Sequence, residues 1–319
     1  AHEASAAVYG ARAAFIGGCN ATSDVVASKE FGIPAFSTMT HSLVQAFDSE
    51  YEAFKYYASQ FPNNCVLLVD TYSTVKSGVP NAIKVFDEVL KPMGVRPKGI
   101  RIDSGDITYL SKKARRMLDD AGYADCHITV SNSVNEDIIR DMLIQGAPVD
   151  SFTVGEQLIT AASCPCLNGV YKLSAVEEKG EIIPRIKISD NTGKITTPGS
   201  KTVWRLFDRE VGKAIADVVT LSTEEIDQNA PYELFDPIHT WKRKTVDNFV
   251  ARRLLQPIFV NGQCVYSSPT LPEIQNYCRS QISSLWEEVT RFENPHHYYV
   301  DMSEKLWNVR QELLTKFSK

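Results

Sequence analysis

Chemically useful side chains recur at the ends of short apolar runs in this sequence. Thr38, His41 and Ser42 follow the run at 33–37, and Asp70 and Thr71 lie at the end of the run at 65–70. Arg101 and Asp103 end the run at 98–103, followed by Ser104, Gly105 and Asp106. Ser131 closes the run at 127–131 with Asn132 next, and Gly155 closes the run at 151–155 with Glu156 next. Carboxylates of this kind suit ribose hydroxyls, or Mg2+ through its waters. A planar guanidinium suits a carboxylate or phosphate held by two hydrogen bonds. Ser and Gly at helix starts leave backbone N–H groups free for a phosphate. Together these residues describe a site for an anionic, phosphorylated sugar. Taken singly, each has a plainer role: His41 as a polar residue at a turn, Asp70 as a helix cap, Ser104 or Asp106 as the cap of a turn. The functional reading therefore depends on a fold that gathers them on one rim.

A repeated strand–helix unit would gather them. The apolar runs recur about every 30 residues, separated by helical patterns at 41–60, 79–91, 110–122 and 135–146. Gly122 and Gly146 close the last two helices. This spacing predicts βα units around a parallel sheet. The runs do not alternate, so both strand faces are predicted to be covered. A barrel or an open doubly wound sheet fits; the lack of a Gly-rich dinucleotide loop after any strand favours the barrel. In a barrel, the C-terminal strand ends meet on one rim. The expected class is α/β. Residues 1–175 form the barrel with the active-site rim. Residues 176–270 form a β-rich segment completing the barrel or a second lobe, with strands around Lys179-Gly180 and at 202–208 and 214–221. Residues 271–319 form C-terminal helices, at 271–292 and 303–317.

The chain has 319 residues, of which 43% are hydrophobic, enough for a sizeable core and two lobes. A net charge of −5 argues against a nucleic-acid partner, which calls for a basic face. Seven scattered cysteines predict reduced thiols in a cytoplasmic protein. Cys164-Pro-Cys166 is the one close pair and lacks the companions of a zinc site. No apolar run reaches the roughly 20 residues that span a membrane. The first residues read as if already inside a helix, which gives the expectation that a front part precedes Ala1.

The stretches "STMTHS", "LLVDTYST", "IRIDSGD", "ITVSNSVNE", "GAPVDSFTVGEQLIT", "LNGVYKL" and "NPHHYYVDMSEKLW" resemble the nicotinate phosphoribosyltransferase family. The resemblance runs over essentially the whole chain. It implies an irregular type II phosphoribosyltransferase α/β barrel. It also implies a cytoplasmic homodimer that makes nicotinate mononucleotide and pyrophosphate from nicotinate and phosphoribosyl pyrophosphate, a salvage step to NAD. ATP as co-substrate, Mg2+ and classification as a ligase come with it. His41 matches the histidine that ATP phosphorylates, with Asp70 orienting it and stabilising its charge. Arg101 matches an arginine near the pyridine ring and its carboxylate, and Asp103 a ribose-facing acid. Ser131 and Asn132 match ribose contacts, Gly155 and Glu156 the 5′-phosphate region, and Lys172 and Arg12 phosphate partners.

Some residues depart from the family pattern: Ala21, Ser37, Thr40, Glu156 and the Cys164–Cys166 stretch. An extra acid at Glu156 would weaken phosphate binding unless it turns outward. The family segment that carries the base-stacking aromatics would precede Ala1, which gives the expectation that the chain as given lacks its base clamp. Alternatives are a nicotinamide phosphoribosyltransferase, or an inactive fragment serving as a structural or oligomerisation unit. Quinolinate enzymes lack the phosphorylated histidine, which His41 with Asp70 argues against. A metal-dependent hydrolase would need more than one rim histidine.

Overall fold

Four short strands carry the candidate residues. The computed structural model describes residues 3–317, which divide into two compact units, one up to Leu167 and one from Asn168. In the first unit β1 (Val66–Leu68), β2 (Gly99–Ile102), β3 (His127–Val130) and β4 (Ser151–Phe152) pair in that order, all parallel. Every residue of β1 is buried, as expected of a strand covered on both faces. The α/β class, the parallel sheet, the β-rich second segment and the C-terminal helices are all present.

Helices α1 (Ala4–Gly17), α2 (Val25–Phe31), α3 (His41–Gln45), α4 (Glu50–Gln60), α5 (Val79–Val85), α6 (Ile107–Asp120), α7 (Glu136–Ile144) and α8 (Glu156–Ile159) complete this unit. Its core joins Leu67, Leu68, Ile100, Ile102, Ile128 and Val130 of the strands to Phe54, Ala114 and Leu118 of the helices and to Phe86 of the turn at 86–90. Asp106 caps α6 by accepting from the Tyr109 N–H at 3.0 Å, and Asn135 caps α7 through the Ile138 N–H at 2.9 Å.

Three local expectations are corrected. The run at 33–37 is not a strand; it makes one isolated parallel bridge, Ala35 to Thr22. The helix expected over 41–60 is two helices, because Ser49 restarts the chain as a cap whose hydroxyl accepts from the Glu52 N–H at 3.2 Å. The strand expected over 151–155 is paired only at Ser151 and Phe152.

In the second unit, β5 (Ala175–Glu178) and β6 (Glu181–Pro184) form a hairpin. Lys179 (φ 55°) and Gly180 (φ 82°) turn it, both in the left-handed region that two-residue hairpin turns use. β7 (Lys201–Asp208) and β8 (Ala214–Leu221) form the centre of a second sheet, flanked by β11 (Phe249–Arg253) and β14 (Val300–Met302). β9 (Tyr232–Phe235) pairs with β10 (Arg243–Val246), and β12 (Phe259–Val260) with β13 (Gln263–Cys264). The helical stretch expected over 271–292 is α9 (Leu271–Ser283) and a short α10 (Glu287–Thr290); α11 (Glu304–Phe317) follows β14. Arg205 on β7 holds Asp217 on β8 through two bonds of 2.7 and 2.9 Å, and the Tyr298 hydroxyl donates to the same carboxylate at 2.9 Å. This pins the "NPHHYY" stretch to the sheet. No described helix is long and apolar enough to cross a membrane.

One glycine fixes how closely a helix meets the sheet of the first unit. A Cβ on Gly78 would lie 1.7 Å from the Val69 carbonyl oxygen, next to Asp70. A backbone atom cannot yield as a side chain does. Gly78→Ala is therefore expected to destabilise the fold by about 3 kcal/mol, read as a lowered Tm in thermal denaturation.

Candidate active site

His41 is the first residue of α3, and Thr40 caps the helix by accepting from the Leu43 N–H at 3.3 Å. The ring is held from its Nδ1 side, where Thr71 Oγ1 lies 3.0 Å away. Its Nε2 faces two carboxylates, Asp103 Oδ2 at 3.6 Å and Asp70 Oδ1 at 4.0 Å. These are ion-pair distances, too long for hydrogen bonds. Asp70 thus contributes charge to His41, and the orienting hydrogen bond comes from its neighbour Thr71.

Asp70 follows β1, and its side chain is only 3% exposed. Oδ2 accepts from the Asp103 backbone N–H at 2.9 Å and from the Ser104 hydroxyl at 2.6 Å. Both donors follow β2, so the bond pair ties two strand ends together. Oδ1 is buried, and no protein group hydrogen-bonds to it.

Arg101, on β2, ties the ends of β2 and β3 to the loop before α3. Its Nε donates to Ser131 Oγ at 2.8 Å, Nη1 to Thr38 Oγ1 at 2.9 Å, and Nη2 to Asp103 Oδ1 at 2.8 Å. The Ser131 hydroxyl donates to the same Asp103 oxygen. Three of the five guanidinium N–H groups are used, which leaves one on each terminal nitrogen, enough to grip a carboxylate. Burial alone would raise the Asp103 carboxyl. The Ser131 bond, the Arg101 bond and charge, and the nearby His41 outweigh it and hold Asp103 below the usual range.

The structure therefore brings together His41, Asp70, Arg101, Asp103 and Ser131, with Thr38, Thr71 and Ser104 as the hydroxyls that position them. Asn132 and Ser133 come next along the chain at φ 84° and 37°, a left-handed bend that turns the backbone just past β3. Ser133 donates to Glu156 at 3.0 Å, which gives that acid a protein partner. Gly155 precedes α8 with no side chain capping it. Arg12 is on α1, which packs against α8, and its guanidinium is 5.8 Å from the centre of the Phe31 ring. Lys172 belongs to the second unit.

One residue with a bearing on the site carried no readable signal. Glu50 opens α4 and is 4% exposed. In the sequence it follows a helix cap and looks like an ordinary solvated acid of a first turn. Among the described residues no group of three or more His, Cys, Asp and Glu is placed to hold a metal ion.

A family model for the nicotinate phosphoribosyltransferase C-terminal domain matches residues 200–310. The chain is 46% identical over 314 residues to nicotinate phosphoribosyltransferase of Bacillus subtilis, spanning 98% of this chain and 63% of that protein. It is 33% identical to the Dictyostelium discoideum protein of the same name, spanning 96% of this chain and 60% of that one. The chain thus spans less than two thirds of the length of these curated relatives. In fold it is similar to human nicotinic acid phosphoribosyltransferase, with a TM-score of 0.74 and 24% identity, covering 100% of this chain and 69% of that one. It is also similar to nicotinate-nucleotide pyrophosphorylase from Pyrococcus furiosus, with a TM-score of 0.64 and 25% identity, covering 88% of this chain and 63% of that one.

The lowered Asp103 sets a pH dependence. An acid whose carboxyl is depressed in the folded state adds stability above its unfolded value and loses it as pH falls through the folded one. Asp103→Asn should lower Tm at neutral pH by about 2–4 °C. Melting curves over a pH series should show that gap close on acidification.

Proposed function

We propose, from the premise that the chain belongs to the nicotinate phosphoribosyltransferase family, that its site joins nicotinate to phosphoribosyl pyrophosphate. The products are nicotinate mononucleotide and pyrophosphate, and ATP hydrolysis is coupled through His41. The observation that carries the proposal is the setting of the His41 ring, with two carboxylates at Nε2 and a hydroxyl at Nδ1.

The nicotinate ring nitrogen forms the new bond to C1 of the ribose, and the bond from C1 to the pyrophosphate oxygen breaks with its electron pair. The ribose passes through an oxocarbenium-like state, so positioning and charge stabilisation are what the site must supply. Arg101 suits the nicotinate carboxylate through its two remaining N–H groups, and its three internal bonds keep it rigid. Asp103, ionised and fixed by Arg101 and Ser131, suits the cationic ribose or its hydroxyls. Ser131 and Asn132 line the same strand end, and Gly155 offers a backbone N–H for the 5′-phosphate. Glu156, turned onto Ser133, would be drawn away from that phosphate. Arg12 and Lys172 remain candidate phosphate partners by resemblance alone.

His41 would attack the γ-phosphorus of ATP through Nδ1. The two acids at Nε2 repel an incoming phosphate there and stabilise the positive ring left after attack. For that attack Thr71 must first give up its bond to Nδ1, which frees the lone pair. ADP leaves, and water later takes the phosphoryl group. Mg2+ suits this site as the ion that accompanies ATP and phosphoribosyl pyrophosphate. Bound to those phosphates, it would neutralise charge building on the leaving group. A dimer and a cytoplasmic location accompany this reading through the family.

The test is a product assay on the natural full-length polypeptide, with either nicotinate or nicotinamide, with and without ATP. Wild type should form nicotinate mononucleotide faster with ATP. His41→Ala should lose that stimulation and drop about a hundredfold in kcat, the usual effect of removing one charge-stabilising group. Unchanged ATP stimulation in the variant would sink the role given to His41, and preference for nicotinamide would move the substrate.

A further inference from the structure

Among the described residues of the first unit, two buried carboxylate oxygens have no protein hydrogen-bond partner: Asp70 Oδ1 and Glu50 Oε1. Such atoms are costly, because burial removes water without replacing its bonds. The pair is joined by one short path. Gly78 lets its turn lie on the Val69 carbonyl, beside Asp70. Three residues along that helical run, Asn81 Nδ2 donates to Glu50 Oε2 at 3.0 Å. Glu50 is thereby fixed by one oxygen, with the other left over.

We propose that Glu50 is a positioning residue for the site: it carries one proton and shares it between Glu50 Oε1 and Asp70 Oδ1, directly or across one water. One proton answers both orphaned oxygens. Asp70 then keeps one orientation and one negative charge toward His41, where an ionised Glu50 would place a second charge behind it.

The surroundings agree. Burial, and less strongly the Asp70 charge, push the Glu50 carboxyl up, and the Asn81 and Ser77 bonds only partly offset this. The first turn of a helix favours an anion, so burial works here against the helix dipole. Around α4 pack α3, α5 and the turns at 62–64 and 86–90. Their charged groups are His41, Lys84, Asp87 and Glu88, and the turn at 74–78 adds Lys76. Lys84 lies over the Tyr51 ring at 4.2 Å, the Tyr51 hydroxyl donates to Glu88, and Asp87 accepts from Tyr123 at 2.8 Å. Asp70 is the charge that registers at Glu50.

The kinetic part of the test rests on the reading of His41 given above, so a second arm needs no turnover. Compare wild type, Glu50→Gln and Glu50→Leu in the full-length protein. A Gln amide can still accept from Asn81 and donate to Asp70, as the protonated acid would. Glu50→Leu should lose about ten- to a hundredfold in kcat with KM for nicotinate little changed, and Glu50→Gln should recover most of it. Wild-type activity should fall as pH rises through the Glu50 ionisation, and Glu50→Gln should lack that fall. The NMR titration of the His41 ring should show a second inflection in wild type that is missing in Glu50→Gln. Glu50→Gln as impaired as Glu50→Leu, or the inflection persisting in Glu50→Gln, overturns the proposal. If Glu50→Leu does not fold, the Glu50→Gln pH profile decides. If no variant forms product, the His41 titration decides, and the failure belongs to the activity.

Discussion

A carboxylate buried to 3% exposure at a strand end must be held by hydrogen bonds, and the whole rim depends on how Asp70 is held. Its two donors, the Asp103 N–H and the Ser104 hydroxyl, both follow the neighbouring strand. Satisfying Asp70 therefore locks β1 and β2 at their C-terminal ends. It also fixes Asp103, whose backbone makes one of those bonds while its side chain faces His41. Shortening or shifting either strand by one residue would break the arrangement, since successive side chains alternate between faces.

Arg101 repeats the logic one strand further on. A flexible point charge could neutralise Asp103, but it could not also hold Ser131 and Thr38. The planar fork reaches three segments that lie far apart in the chain, with Thr38 63 positions from Arg101. Thr38 comes from the loop before α3, so the loop that carries His41 is tied to the sheet at two points, Thr38 to Arg101 and His41 to Thr71. That double tie does for this loop what a paired strand would have done, because the run at 33–37 contributes only one bridge.

The residue types at the site were readable from the sequence because apolar runs end where strands end, and Asp70, Arg101, Asp103 and Ser131 lie at those ends. The pairings were not readable. His41 meets Thr71 30 positions away and Arg101 meets Ser131 30 positions away, and neither contact follows from local spacing. The family resemblance suggested Asp70 as the partner that orients His41, whereas its Oδ2 accepts from the residues after β2 and its Oδ1 lies 4.0 Å from the ring. Element types held better than element ends. The break at Ser49 is a capping signal that helical periodicity over 41–60 hid. The hairpin at Lys179-Gly180 was visible because its turn chemistry is local.

Two acids face the His41 ring and a third, Glu50, acts on one of them, and the structure treats each differently. Asp103 is compensated by a guanidinium and a hydroxyl and stays ionised. Asp70 takes a backbone N–H and a hydroxyl on one oxygen, which supports one negative charge. Glu50 has the Asn81 amide and the Ser77 hydroxyl, which offset its burial only in part, and a carboxylate whose charge reaches it. Two neighbouring carboxylates in a buried setting do not both ionise readily. The proton settles on the member with the poorer anion support, which is Glu50. The His41 ring then faces two negative charges at Nε2, Asp103 at 3.6 Å and Asp70 at 4.0 Å, and a neutral Glu50 adds no third.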